Sequence, residues 1–265
     1  MTTIDFITEL YCRIADKLAQ VDKGQKHSQA KLYPSEVMTL GVLHALKGVG
    51  QRAFWRWLAR DYRPLFPNLP DRTRLFRLFN THQPLITEFL ADCSLLGVMD
   101  SYGIELLHPR REGRSPQQIG KKGKSNWRWI VGGKLCFVLN HLGLVVAWDC
   151  DTANVHDGSA FQQLVDQLQE TMVIFADTGF RKLDWQPTNL RLCKRGEWNV
   201  RMLVETVLSM LTYVCHFKHM AHKSWPYFKS HLGYAIALFN LLVQWHGLLP
   251  DELGFVPLSI ADFSL

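Results

Sequence analysis

The sequence predicts an α/β protein, a mixed β-sheet with flanking helices, preceded by an all-helical N-terminal domain. Residues 3–97 show only helical periodicity, whereas apolar and polar residues alternate with period two from Val98 onward. A short apolar run, residues 172–176, then leads directly into Asp177, as expected of a strand buried on both faces. We therefore predict a helical domain at residues 1–97 and an α/β domain at residues 98–265.

The composition is that of a folded protein with an anionic partner. Of the 265 residues, 47% are hydrophobic and 20% are charged, so the chain can bury a sizeable core. The net charge of +6 favours a partner such as nucleic acid. The six cysteines are scattered without a C-x-x-C pair, which predicts reduced core residues of a cytosolic protein.

Targeting signals are missing from the sequence. Its first residues lack a basic segment followed by an apolar one, so we expect no signal peptide. Apolar runs of about 18 residues are also missing, so we expect no membrane partner and a cytoplasmic location.

The N-terminal region predicts successive helices and a DNA-binding surface. An amphipathic helix over residues 4–18 precedes a polar loop at residues 22–31. Further helices are predicted at residues 35–47 (capped by Ser35), 51–62, 72–80 (capped by Asp71) and 85–97. Arg72, Arg74 and Arg77 lie on the third of these four, so the preceding helix and this one resemble a helix-turn-helix that binds DNA. The alternative is a helical bundle with solvated arginines.

The first strand carries an acid on an apolar face. Val98, Asp100 and Tyr102 share one face of the predicted strand, and Met99 and Ser101 share the other. Asp100 is thus a candidate site residue, unless the strand lies at an edge where the acid meets water.

The densest positive charge follows this strand. Seven cations and one acid, Glu112, lie between residues 110 and 128. The cations are Arg110, Arg111, Arg114, Lys121, Lys122, Lys124 and Arg128. Three glycines and a proline predict a mobile loop. We favour phosphate contact for this loop over a merely solvated surface, with base stacking on Trp127 and Trp129 as an option.

The remaining chain predicts two strands at residues 133–139 and 144–148, then a helix capped by Asp157. After the strand that ends at Asp177 come a short strand at residues 189–193 and helices at residues 199–215 and 227–245. His156 is a rival catalytic candidate, but its place before a helix favours a structural turn.

Three acids define the candidate site. Asp100 and Asp177 lie on two predicted strands, and Glu205 is the lone acid in an apolar helical run. This order of strands and helices is that of a ribonuclease-H-like fold, in which the three carboxylates converge. Converging carboxylates suit two Mg²⁺ ions in phosphoryl transfer. Asp177 has an alternative role as the acid of a solvated Asp-x-Gly turn, and Glu197 is a rival to Glu205.

The motifs resemble those of the DDE transposases of bacterial insertion sequences. They are Met99-Asp100-Ser101, Asn154-Val155-His156-Asp157, residues 175–180 (FADTGF) and Arg201-x-x-x-Glu205. In one branch of that family the glutamate lies in Y-x2-R-x3-E-x6-K. Here Trp198 replaces the tyrosine and Thr212 stands where the lysine would be, so the chain lacks the lysine of that motif. The gap of 28 residues between Asp177 and Glu205 (205 − 177) is too short for the β-domain that some relatives insert there.

The resemblance implies metal-dependent cleavage at transposon ends and joining of the 3′-hydroxyl to target DNA. Asp100, Asp177 and Glu205 would bind two Mg²⁺ ions, with Mn²⁺ as a substitute, and Trp198 and Arg201 would contact DNA. The implied partners are double-stranded DNA and a second copy of the chain in a homodimer on DNA, in a bacterial cytoplasm at the nucleoid. Two alternatives stay open: a nuclease that does not join strands, and a non-catalytic DNA-binding regulator.

Overall fold

The computed structural model of the protein describes residues 2–25, 30–125, 128–182, 184–185, 187–194, 201–217 and 224–249, with Glu252 and Leu258. The side chains of residues 24, 25, 201 and 202 are outside this description. None of the helices within these ranges is long and apolar enough to cross a membrane.

The N-terminal region is helical, as predicted. The helices are α1 (Thr3–Lys17), α2 (Ala19–Gln25), α3 (Pro34–Lys47), α4 (Gln51–Asp61) and α5 (Arg72–Thr81). Asp71 caps α5 by accepting a hydrogen bond from the Arg74 backbone N–H at 3.0 Å, as predicted. Helix α2 occupies part of the predicted loop at residues 22–31. The predicted cap Ser35 is instead a buried residue within α3, and the N-cap of α3 is Tyr33.

The predicted helix at residues 85–97 is wrong. A 3-10 helix spans Gln83–Phe89, and the chain is then extended until the first strand begins at Leu96. The cause is tertiary, because the Ala91 N–H donates to the Val145 carbonyl at 2.9 Å and the Asp92 carbonyl accepts from Asn140 Nδ2 at 3.1 Å. These bonds draw the backbone toward the sheet.

The sheet is mixed and has six strands. They are β1 (Leu96–Leu107), β2 (Lys121–Ser125), β3 (Arg128–Leu139), β4 (Val145–Thr152), β5 (Val173–Asp177) and β6 (Leu190–Cys193). The order is β2-β3-β1-β5-β6, with β4 also paired to β3. β3 is antiparallel to β1, β2 and β4, whereas β5 is parallel to both β1 and β6.

Strand β2 corrects the prediction of a mobile loop. Residues 121–125 pair with residues 128–132 of β3 despite a composition rich in lysine. Gly123 permits this because a Cβ there would overlap the Ala153 carbonyl. The strand therefore depends on backbone contacts with distant segments, which local composition does not reveal.

Helices cover both faces of the sheet. Short helices α6 (Asp157–Ala160) and α7 (Gln162–Gln167) pack on the face that carries Met99, Cys136 and Ile174. The opposite face meets α8 (Arg201–Tyr213), α9 (Trp225–His246) and the N-terminal helices in a second apolar cluster. The α/β architecture with a helical N-terminal part is thus confirmed.

Helix α9 is buried over most of its length and joins the two parts of the chain. Residues 230–243 of α9 are all buried, and the apolar side chains among them share one cluster with residues of α1, α3, α5 and the sheet. Tyr234 donates to the Phe79 carbonyl at 3.1 Å, and Gly41 of α3 lets the two helices approach because a Cβ there would overlap the Tyr234 ring. The helices before residue 97 and α9 therefore share one core. The predicted division into a DNA-binding domain at residues 1–97 and a catalytic domain at residues 98–265 stays a prediction.

Asn240 of α9 makes the polar connection within this core. The fully buried side chain accepts from the Val145 N–H at 2.9 Å and donates to the carbonyls of Phe89 and Val145 at 3.0 and 2.7 Å. One amide thus fixes α9 to strand β4 and to the end of the 3-10 helix.

We predict that Asn240→Leu lowers the free energy of unfolding by roughly 2–5 kcal/mol, because the Val145 N–H and the Phe89 carbonyl lose a buried partner. Urea denaturation measures this loss. Ser230→Ala is the matched control on the same helix, because the buried Ser230 hydroxyl has no hydrogen-bond partner among the described residues. Equal stability of Asn240→Leu and wild type would contradict the role of this amide.

Candidate active site and nucleic-acid interface

Strands β1 and β5 bring Asp100 and Asp177 to the same place on the sheet. The two strands are parallel, with Val98 opposite Phe175. The pairing ends at Val98 and Phe175, and the same register continued for two residues along each strand brings Asp100 level with Asp177. Neighbouring residues in register point to the same face, and adjacent strands lie about 4.8 Å apart where they pair. Asp177 ends β5, so its carboxylate lies at the carboxyl end of that strand, where α/β sheets place their sites, whereas Asp100 lies within the longer strand β1.

Asp177 is exposed and its carboxylate is oriented by a turn. Its Oδ1 accepts from the Gly179 N–H at 2.9 Å, and it caps the 3-10 helix Thr178–Phe180. A Cβ at Gly179 would stand 2.9 Å from the same oxygen, so this position keeps the carboxylate in place only as glycine. The Asp-x-Gly turn that was the alternative to a site role is thus present, and its hydrogen bond uses only Oδ1.

Asp100 is half-buried on the face that also carries Val98 and Tyr102, as the alternation predicted. Its Oδ1 accepts from the Ser101 N–H at 2.7 Å. Cys136 of β3 lies behind this point on the opposite face, and its pKa is well above the usual value because of burial and of the nearby carboxylates Asp157 and Asp100. The Cys136 thiol is therefore protonated and is not a nucleophile.

A buried ion pair supports β1 directly behind Asp100. The Lys134 Nζ lies 2.7 Å from the Asp157 Oδ1 and donates to the Val155 carbonyl at 3.0 Å. The Ser101 hydroxyl donates to the other oxygen of Asp157 at 3.0 Å. The two charged side chains are only 13% and 18% exposed, so little solvent screens them.

This arrangement corrects the predicted helix cap. His156, not Asp157, is the N-cap of α6, and its Nδ1 accepts from the Gly158 N–H at 3.2 Å. Asp157 is the first helical residue and turns toward Lys134 and Ser101. His156 thus has the structural role that was favoured for it, whereas the importance of Lys134 was missed because no local pattern links residues 134 and 157.

We predict that Lys134→Met lowers the free energy of unfolding by about 3–5 kcal/mol, because it leaves the Asp157 carboxylate buried without its cation. The double variant Lys134→Met/Asp157→Leu should recover much of this loss, since no charge then stays buried. Urea denaturation of the two variants gives the comparison. A loss below 1 kcal/mol for Lys134→Met would show that solvent reaches the pair freely.

Glu205 lies on α8 and is exposed. Val204, Val207 and Leu211 are the buried residues around it, so α8 packs with a different stripe and Glu205 points outward. The expectation that Glu205 sits in apolar surroundings is therefore wrong. Among the described residues no group of three or more His, Cys, Asp or Glu is close enough to hold a metal ion. Trp198 and Glu197, and the Arg201 side chain, lie outside the described residues.

The basic segment presents its cations on an exposed strand and turn. Arg110, Arg111, Arg114, Lys121, Lys122, Lys124 and Arg128 are all exposed. Lys122 pairs with Glu112 at 3.0 Å and lies 5.8 Å from the ring centre of Trp129, and Arg128 approaches Glu105 at 3.6 Å. Trp129 is itself 58% exposed, so this strand offers both cations and an aromatic surface. Trp127 lies outside the described residues.

The arginines of the N-terminal helices are exposed as well. Arg72, Arg74 and Arg77 lie on the outer side of α5, whose buried side is formed by Leu75, Phe76 and Phe79. A second row on α4 was missed, although its spacing of four residues was visible in the sequence: Arg52, Arg56 and Arg60 are exposed at successive turns.

The cysteines differ in burial. Cys136, Cys150 and Cys215 are buried, as predicted, and burial raises the pKa of Cys150 to about 12. Cys12 and Cys93 are exposed, so the prediction of a core position is wrong for these two, and Cys193 is half-buried. None of the six cysteines forms a disulfide bond.

The sheet defines the class of the protein. An antiparallel β1-β3-β4 unit joined to parallel β5 and β6, with helices on both faces, is a ribonuclease-H-like α/β domain. Residues 92–197 match the family model described as the transposase DDE domain. The resemblance to DDE-type transposases is thereby confirmed. The match covers Asp100 and Asp177 and ends before Glu205. No significant match was found among curated proteins or solved structures.

The two aspartates fit a divalent metal of the kind that DDE domains use. Carboxylate oxygens are the ligands that Mg²⁺ prefers, and Asp100 and Asp177 lie level on adjacent strands with Asp177 open to solvent. Glu205 is of the right chemical type and is exposed on its helix, but the described structure does not group it with them.

Proposed function

We propose that this protein is a DNA transposase that cleaves DNA at transposon ends and joins the freed 3′-hydroxyl to target DNA. One observation carries the proposal: Asp100, within β1, and Asp177, at the end of β5, lie level on the same face of adjacent parallel strands, in the segment that matches the transposase DDE domain. Acids placed in this way suit metal-assisted phosphoryl transfer.

Asp100, Asp177 and Glu205 would hold the metal, two Mg²⁺ ions with Mn²⁺ as a substitute, which would neutralise charge on the attacking and leaving oxygens. The protein's own residues keep the carboxylates in place. The Gly179 N–H fixes Asp177, and the Ser101 N–H fixes Asp100. Glu205 requires α8 to approach the aspartates when DNA binds.

Two basic surfaces would bind the double-stranded DNA. The first contains β2 and the turn before it, and the second contains the arginines of α4 and α5. Arg201, one helical turn before Glu205, and Trp198, seven residues before it in the sequence, would add contacts near the site. A homodimer on DNA would bring two transposon ends together, and the bacterial nucleoid would be its location.

Two alternatives differ in their reaction products. A nuclease would cleave end-containing DNA without joining the strands, and a regulator would bind DNA without cleaving it. The level placement of Asp100 and Asp177 favours catalysis over regulation. Incubating a labelled end duplex with a target plasmid and Mg²⁺ would distinguish the three, because only a transposase converts the label into a joined product.

We predict that Asp100→Asn and Asp177→Asn each reduce Mg²⁺-dependent cleavage by at least a hundredfold with the fold retained, because an amide has nearly the same shape but cannot neutralise a cation. Single-turnover cleavage of an end duplex gives the rates, and circular dichroism monitors the fold. Asp184→Asn, in the exposed loop after β5, is the matched control and should cleave normally. Normal cleavage by either site variant would remove that aspartate from the mechanism.

The third acid has its own test. We predict that Glu205→Gln abolishes cleavage and that Glu197→Gln retains most of it, since only Glu205 lies one turn after Arg201 on α8. The same single-turnover assay decides between them. An inactive Glu197→Gln with an active Glu205→Gln would reverse the assignment.

The lysines of β2 should contribute unequally to DNA affinity. We predict that Lys121→Ala and Lys124→Ala each reduce the slope of log affinity against log salt by roughly 0.9, because each loses one phosphate contact. Lys122→Ala should change the slope less, since Glu112 already pairs with this lysine. Fluorescence anisotropy between 50 and 300 mM salt measures the slopes. If the slope is unchanged in all three variants, the lysines of β2 do not contact phosphates and the strand is only a solvated surface.

A further inference from the structure

A groove along the outer edge of β6 has no role in the proposed cleavage site. Its volume is about 570 Å³. The groove is lined by Phe180, Arg181, Lys182, Trp185, Thr188 and Arg191, among others. Three of these side chains are cationic, and its described lining includes no acid. The groove therefore combines apolar walls with an excess of positive charge.

The groove lies next to Asp177. Arg191 is opposite Phe175 in the parallel β5–β6 pairing, so its side chain lies on the same face of the sheet as Asp177, which pairs with Cys193 two residues later. One strand spacing and two residues along a strand place the Arg191 Cα roughly 8 Å from that of Asp177. Arg181 follows Asp177 by four residues, directly after the 3-10 helix Thr178–Phe180.

The cations of the groove are available to a ligand. Arg181 and Arg191 are exposed, and within the described parts of the chain neither they nor Lys182 has an acidic partner. The wall is held in place, because Trp185 Nε1 donates to Asp166 on α7 at 3.1 Å and Lys182 pairs with Trp185 through the backbone. Among the described strands β6 pairs only with β5, and its residues Leu190, Arg191 and Leu192 line the groove.

We propose that this groove binds the phosphate backbone of the DNA strand that continues beyond the bond cleaved at Asp177. The proposal rests on the proposed function. Arginines suit phosphate because the guanidinium donates two parallel hydrogen bonds to its oxygens. An arginine side chain extends well beyond its Cα, so the guanidinium groups would lie further from the carboxylates than this Cα displacement of roughly 8 Å, past the phosphate next to the scissile one. The groove would thus hold the second or third phosphate from the scissile one.

The expected effect is a loss of phosphate contacts in Arg181→Ala/Arg191→Ala. This variant should reduce the salt slope by roughly 1.8 for two lost contacts, and affinity at 0.1 M salt by roughly tenfold for each contact. Arg181→Lys/Arg191→Lys keeps the charge and should keep most of the slope. Lys23→Ala/Lys31→Ala removes two exposed cations from the N-terminal region and is the charge-matched control.

The experiment measures binding of an end duplex by fluorescence anisotropy, with one phosphate at a time replaced by an uncharged methylphosphonate. In the wild type, replacement two or three phosphates from the scissile bond should weaken binding, and in Arg181→Ala/Arg191→Ala the same replacement should have no further effect. The proposal for the groove would be wrong if the wild type cleaves the duplex but Arg181→Ala/Arg191→Ala has the same salt slope as the wild type and the same sensitivity to methylphosphonate replacement. The proposed function would not be affected by that result. A wild type that neither binds nor cleaves the duplex would overturn both.

Discussion

The structure depends on the burial of one helix against two different partners. Helix α9 packs on the N-terminal helices along one side and on the sheet along another, and the fully buried Asn240 amide bonds to both the Phe89 and the Val145 backbone. An unpaired amide at this depth would be costly, so these bonds define one position of α9 relative to strand β4. The position of the helical part relative to the carboxylate edge follows from it.

The register of β1 and β5 is the second constraint, and it sets the chemistry. A shift of one residue would move Asp100 to the face covered by α7 and separate it from Asp177. The Lys134–Asp157 pair opposes such a shift, because it connects β3, β1 through Ser101 and the start of α6. A buried ion pair contributes little net stability, but a shift that separates its two charges is strongly destabilising. Its place directly behind Asp100 suits a site whose ligands must stay aligned.

The sequence predicted those features that local patterns encode. Alternation along residues 98–106 placed Asp100 on the correct face, and the apolar run before Asp177 placed that acid at the end of a strand. Strand β2 could not be predicted, because Lys121-Lys122-Gly123-Lys124-Ser125 forms a strand only by pairing with β3. The hydrogen bond between Ser101 and Asp157 could not be predicted either, because the two residues are 56 positions apart in the chain. Glu205 was misjudged because its apolar neighbours in sequence pack inward on other sides of α8.

Electrostatics explains why cations surround a site made of acids. Asp100 and Asp177 repel DNA phosphates unless a metal ion or nearby cations offset their charge, and the net charge of +6 is too small to do so if it is spread evenly. The cations are instead concentrated, on β2 at one end of the sheet and on Arg181 and Arg191 beside β6. Cations directly between the aspartates would neutralise them and compete with a metal ion. Cations set to the side of the aspartates would attract the DNA backbone and leave the carboxylates free, as the proposed metal-dependent cleavage requires.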